Sequence, residues 1–120
     1  MVESYKDLIV WQKSMLLVKE IYNLLKFLPK EEQYALSDQM RRAVVSIPSN
    51  IAEGYGRHAT NDYARFLNIA RGSKSELETQ LHICVMLNYI SEEQSKFAFE
   101  LLNEIGKMIN ALVKNLIPNA

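Results

Sequence analysis

Cysteine occurs once in this chain, histidine twice, proline three times and glycine four times, and each scarcity closes off a class of chemistry. A lone Cys84 leaves no internal disulfide. Its place in the apolar run Ile83-Cys84-Val85-Met86-Leu87 fits a buried thiol acting as a small hydrophobe. Two histidines, one such cysteine and no glycine-rich nucleophile elbow give nothing from which to assemble a catalytic triad. Gly54, Gly56 and Gly72 do not make a phosphate-cradling loop. Di-iron bundles need Glu-x-x-His pairs on two helices, whereas here Glu78 and His82 stand four apart and His58 lies near a helix end. No metal ligand set is expected, and Glu78–His82 reads as an ordinary same-face pair. Glu76 and Glu78, two apart, point to different sides of a helix and are poor acid–base partners. Apolar runs are far too short to span a membrane, and no basic segment leads into an apolar one. The expectation is a cytoplasmic protein, not an enzyme, with no cofactor.

What the chain has is helical pattern. Its 120 residues, 48% hydrophobic and 23% charged, suit one domain over 1–120 with a core of its own. Ser4-Tyr5-Lys6-Asp7 has the spacing of a capping box. Behind it Leu8, Trp11, Met15, Val18, Tyr22 and Leu25 step by three and four, and Pro29 ends that helix. The second helix covers about residues 34–57. Thr60, followed by Asn61 and Asp62, reads as the cap of a third helix striped by Tyr63, Leu67, Ala70, Leu77, Leu81 and Cys84. Ser91-Glu92-Glu93-Gln94 is another capping box. It opens a fourth helix striped by Phe97, Leu101, Ile105, Met108 and Leu112, with Pro118 beyond its end. Connections near 57–60 and 88–91 are too short for a crossover, so the expected architecture is all-α: an up-down-up-down antiparallel four-helix bundle.

Two features complicate that bundle. Pro48 falls inside the apolar pattern of the second helix (Leu36, Met40, Ala43, Val44, Ile47, Ile51, Tyr55). It lacks the N–H that would bond the Val44 carbonyl and costs about 3 kcal/mol against alanine, so a kink is expected there. The apolar faces are also wide. Val10, Leu17, Ile21, Leu24 and Leu28 form a second line on the first helix, and Phe99, Leu102 and Ile109 one on the fourth. Either the core is broad or one line is a buried subunit interface.

The net charge is zero, but all five arginines fall in one third of the sequence. From Arg41 to Lys74 six basic residues stand against Glu53 and Asp62, a net +4, and the rest of the chain carries −4. A neutral total argues against indiscriminate nucleic-acid binding, while the segregation allows a local basic surface.

The segments Leu8-Ile9-Val10-Trp11-Gln12-Lys13, Gln39-Met40-Arg41-Arg42-Ala43, Ser46-Ile47-Pro48-Ser49-Asn50-Ile51-Ala52-Glu53-Gly54, Ile69-Ala70-Arg71-Gly72-Ser73 and Glu76-Leu77-Glu78-Thr79-Gln80-Leu81 carry a resemblance. Over about residues 5–90 the chain resembles the four-helix-bundle proteins encoded within intervening sequences of bacterial 23S ribosomal RNA genes. The resemblance implies a ring-shaped homopentamer. It also implies kinship with accessory variability proteins of diversity-generating retroelements, which bind nucleic acid and a reverse transcriptase through a basic surface. No molecular role is established for the intervening-sequence proteins themselves.

Candidate residues follow. Arg41, Arg57, Arg65, Arg71 and Lys74 are the candidates for contact with RNA or a nucleoprotein, although Arg65 and Arg71 are about 120° apart on their helix. Five copies around a ring would multiply a weak patch. Arg42, Asn50, Glu53, Glu76 and Glu78 read as structural: arginine–carboxylate pairs between adjacent helices, with Asn50 meeting the Val44 carbonyl that Pro48 leaves free. Gly72, with Ser73, reads as a close helix–helix approach. The alternative to RNA binding is a structural module that docks another protein.

Overall fold

The computed structural model describes residues 2–118, which form four α-helices: α1 Ile9–Leu24, α2 Leu36–Tyr55, α3 Thr60–Met86 and α4 Glu92–Leu116. Consecutive helices pack together and α1 closes onto α4, as in a four-helix bundle. Contacts climb one helix as they descend the next. Ser46 meets Ser73 and Gly54 meets Phe66 across α2–α3, while Arg71 meets Asn110 and His82 meets Phe99 across α3–α4. The long axis of 43 Å is close to the ~40 Å that the 27 residues of α3 span at 1.5 Å each.

Local chemistry sets the helix ends, not always as the sequence suggests. Ser91 and Gln94 form the expected reciprocal cap: Gln94 N–H donates to Ser91 Oγ at 3.0 Å, and Ser91 N–H to Gln94 Oε1 at 2.9 Å. The Ser4–Asp7 box also forms, but it caps a single 3-10 turn, Tyr5–Asp7. Leu8 is extended after that turn, and α1 starts behind it without a side-chain cap. Thr60 is not a cap. It is the first residue of α3, and Ala59 holds the cap position with no side-chain bond.

The core draws on all four helices, with Leu17, Ile21, Met40, Ile47, Ile51, Leu67, Leu77, Leu81, Leu102, Ile105 and Ile109 fully buried. Each such side chain contributes about 1.5–3 kcal/mol relative to exposure. On α1 both apolar lines feed the core, the first through Leu25 and through Leu8, Trp11 and Val18 packed against it. Val10, Leu17, Ile21 and Leu24 are the core line, whereas Met15 and Tyr22 of the first-named line are each 44% exposed. On α4, Phe97 likewise lies outside while Leu102 and Ile109 are inside.

The close approach between helices is at Gly54, not Gly72. A Cβ on Gly54 would lie 2.8 Å from Phe66 Cβ, whereas one on Gly72 would meet nothing within 4 Å. α2 runs on through Pro48, and the helper assigned to it works elsewhere. Asn50 Nδ2 donates to the Ser46 carbonyl at 2.8 Å and to Ser46 Oγ at 2.9 Å, not to Val44. Val44 is six residues back, about 9 Å along the axis and beyond an asparagine's reach, whereas the carbonyl four residues back is its ordinary partner.

Candidate binding surfaces

Antiparallel packing of α2 on α3 splits the basic stretch of sequence into separate places. Arg41 and Arg57 are sixteen residues apart, about 24 Å along the helix direction. At the α2–α3 turn the guanidinium groups of Arg57 and Arg65 both lie over the Phe66 ring, 4.7 and 4.5 Å from its centroid. Carboxylates attend them: Glu53 and Asp62 pair with Arg57 at 3.1 and 3.6 Å, and Asp62 with Arg65 at 2.8 Å. Arg71 instead donates to Asn110 of α4 at 2.9 Å. Lys74 pairs with Glu78 at 3.3 Å and lays its stem against Gly106, where any Cβ would come within 3.1 Å of Lys74 Cε. Arg41 donates to the Gln33 carbonyl at 3.1 Å. The structure thus brings Arg57 and Arg65 together and sets Arg41, Arg71 and Lys74 apart from them.

The residues read as register-holding pairs do other things. Arg42 donates Nε–H to Asp38 of its own helix at 3.2 Å, with 80% of its side chain exposed. Glu53 and Glu78 also pair within or beside their own helix rather than across the bundle. His82 is not Glu78's partner but stacks against Phe99, ring centroids 4.5 Å apart. Glu76 lines a notch of about 270 Å³ between α2 and α3, with Gln39, Arg42, Ala43, Ser46 and Ser73. Register across α2–α3 is held by hydroxyls: Ser46 Oγ and Ser73 Oγ are 2.8 Å apart. The long-range ion pair is Lys13 of α1 with Glu104 of α4.

Two grooves follow the outer side of α2. One, about 370 Å³, is largely apolar and is lined by Tyr5, Trp11, Met15, Val18, Val45, Pro48, Ser49 and Ala52. Beyond Val45 a second, about 500 Å³, is lined by Tyr22, Asp38, Arg41, Arg42, Val45 and Ser46. The second groove shares Val45 with the first and Arg42 and Ser46 with the Glu76 notch, so the three are neighbours along α2. Sequence periodicity gave Trp11, Met15 and Tyr22 one apolar line of α1, and the signal of an outer face was the second line beside it. A fourth groove, about 530 Å³, lies between α3 and α4 around His82, Val85, Lys96 and Phe99.

The titrating groups give no sign of an activated nucleophile. Burial first, and Glu32 second, push the Cys84 thiol up to about 11, and its proton points to Met40 Sδ at 3.6 Å. Tyr89 is raised chiefly by donating its hydroxyl to Glu32 at 2.9 Å, a bond that ties the α1–α2 connection to the α3–α4 turn. Burial, then Tyr55, raises Tyr63. Among the described residues no three His, Cys, Asp or Glu side chains gather to hold a metal ion, and no helix is long and apolar enough to cross a membrane.

Residues 6–111 match the family model described as 23S rRNA-intervening sequence protein. A crystal structure from Bacteroides thetaiotaomicron VPI-5482, of a protein with unknown function from the S23 ribosomal protein family, superposes with a TM-score of 0.82 at 31% identity. The match covers 88% of this chain and 99% of that one. No curated protein matches the chain.

Proposed function

This chain belongs to the 23S rRNA-intervening sequence protein family, and on that premise we propose that it is a non-enzymatic, self-assembling bundle that presents arginine-bearing surfaces to structured RNA or a nucleoprotein in the cytoplasm. The observation that carries the reading is the apolar groove between α1 and α2. Met15 and Val45 line it at 44% and 42% exposure, with Trp11, Val18 and Pro48 between them. Its occupant is a second copy of this chain, and the family resemblance makes the closed assembly a homopentameric ring. Pro48 shapes α2 for that contact, which gives a buried proline a use that offsets its helix penalty. The kinship with retroelement accessory proteins that the resemblance implies points the same way.

Binding then depends on repetition. Glu53 and Asp62 largely balance Arg57 and Arg65, so one protomer attracts a polyanion weakly. A ring repeats the same guanidinium pair, and effective concentration multiplies the weak contact. Light scattering should give about five times the 13.8 kDa chain mass. Met15→Lys should reduce that mass while leaving far-UV circular dichroism unchanged. Changing Arg57, Arg65 and Arg71 to Gln should weaken RNA binding across sequences and flatten its salt dependence, by about 0.7 in slope per lost single-strand contact. A wild-type monomer would remove the ring. A ring with no RNA affinity at low salt would hand the reading to the docking of another protein.

A further inference from the structure

Large apolar side chains stay in water on two sides of this bundle, not one. Ile9 and Leu16 of α1 and Phe97 of α4 are 54%, 44% and 44% exposed, and none of them lines the α1–α2 groove. The Lys13–Glu104 ion pair across α1 and α4 shows where they lie. Ile9 stands four residues before Lys13 and Leu16 three after it, on the same face of α1. Phe97 stands two turns before Glu104 on α4, and Glu20 two turns beyond Lys13 on α1, which in antiparallel helices is one level. A recess of about 260 Å³ beside Ile9, lined also by Met108 and Leu112, continues the patch.

Resting on the self-assembly reading above, we propose that this α1–α4 face is the surface that enters the α1–α2 groove of the next copy. Each copy then covers both of its apolar faces, whereas a two-fold dimer through the grooves would leave Ile9, Leu16 and Phe97 wet. The two faces share α1, which packs on both α2 and α4, so they are adjacent sides of the bundle. Unlike faces inclined to each other turn every copy relative to the last, and such a series closes into a ring. α1 lies nearest its axis. α3, diagonal to α1, forms the outer rim and carries Arg65 and Arg71 there.

The two faces match level by level. With the bundles upright around the axis, rotation keeps each residue at its height. Met15 and Val18 of one copy then stand opposite Leu16 of the next, and Trp11 opposite Ile9, each within about 3 Å of height at 1.5 Å per residue. Charge matches further along. Arg41 shares its groove with Tyr22, and Glu20 is two residues from Tyr22, about 3 Å in height. Asp38 in that groove is taken by Arg42. Arg41 gives one terminal nitrogen to the Gln33 carbonyl, and its other N–H groups have no partner among the described residues. Glu20 likewise pairs with no cation among them. In the ring, Arg41 meets the Glu20 carboxylate of the next copy.

Light scattering on the intact chain tests this with Met15→Lys in the groove and Leu16→Lys on the opposing face. Both side chains are exposed, and far-UV circular dichroism checks that both variants fold. Each alone should fall to the 13.8 kDa monomer. An equal mixture should give a heterodimer of twice that mass and nothing larger, because one intact groove meets one intact face and the series stops. Arg41→Glu should weaken assembly by about tenfold or more, and Glu20→Arg in the same chain should restore it. Leu16→Lys that keeps the wild-type mass, or that dimerises by itself, would overturn the pairing and leave the groove reading standing. A double variant no better than Arg41→Glu would overturn the match of levels. A wild-type monomer would overturn both the pairing and the groove reading.

Discussion

Replacing Gly54 and Gly72 by alanine, one at a time, should move stability in opposite directions. Both glycines are helical, so each substitution gains about 1 kcal/mol of helix propensity. At Gly72 nothing opposes the gain, because a new Cβ meets no atom within 4 Å. At Gly54 the Cβ falls 2.8 Å from Phe66 Cβ, 3.0 Å from Tyr63 Cδ1 and 3.2 Å from the Tyr63 carbonyl oxygen. The Tyr63 ring can turn aside. Phe66 Cβ and the Tyr63 carbonyl are fixed to α3 and yield only if the helices separate. Over-packing of this kind costs about 1–3 kcal/mol, so Gly54→Ala should lose about 1 kcal/mol net and Gly72→Ala gain about 1 kcal/mol. At about 4 °C per kcal/mol for a domain of this size, the two midpoints should differ by about 8 °C. Urea and thermal unfolding followed by circular dichroism would read the difference, at one protein concentration so that any self-association weighs equally on both variants. If Gly54→Ala proves as stable as Gly72→Ala, the α2–α3 contact is not as tight as described, and the placement of Arg57 and Arg65 over Phe66 loses its anchor.

Pro48→Ala should leave helicity intact or slightly raised while weakening the oligomer, because the local penalty of about 3 kcal/mol is relieved; unchanged assembly with a higher midpoint would show that the proline is merely tolerated. Ser91→Ala removes the hydroxyl that accepts from Gln94 and should cost about 1 kcal/mol, measured by urea unfolding. Native Cys84, fully buried with its thiol at about 11, should react with a disulfide reagent at pH 8 only as fast as the protein opens, and at once in denaturant. Because its folded value lies above the unfolded one, the stabilisation it contributes is whole below about pH 9. It should fade as pH rises through about 11, seen as a falling urea midpoint.

The four helices, the Ser91 cap, the α3 stripe and the buried thiol were legible because each depends on residues near in sequence. The errors share one cause: they needed the identity of a neighbouring helix. Periodicity finds two apolar lines on α1 but does not say which one faces two partners, so it leaves a broad core and a subunit interface equally open. Gly54 and Gly72 look alike until the antiparallel register sets Phe66 opposite one of them. The net +4 between Arg41 and Lys74 is a property of the linear chain. Folding turns α3 back along α2, sets Glu76 across a notch from Arg42 and holds Asp62 between Arg57 and Arg65. The groove beyond Val45 went unseen because its members, Tyr22 and the Arg41–Arg42 pair, come from different helices.

The short α2–α3 connection also favours one order of folding. Ser46 and Ser73 are 27 residues apart, whereas Lys13 and Glu104 are 91 apart. Closing the longer loop costs about 1 kcal/mol more in chain entropy. α2 and α3 also share the most extensive helix–helix interface of the bundle. The expected folding nucleus is therefore the α2–α3 hairpin, with the α1–α4 seam closing last. Substitutions at Ile47 or Leu67 should slow folding, while those at Lys13 or Glu104 should chiefly hasten unfolding. On that order, the half that carries every arginine should take shape before the apolar groove between α1 and α2 is complete.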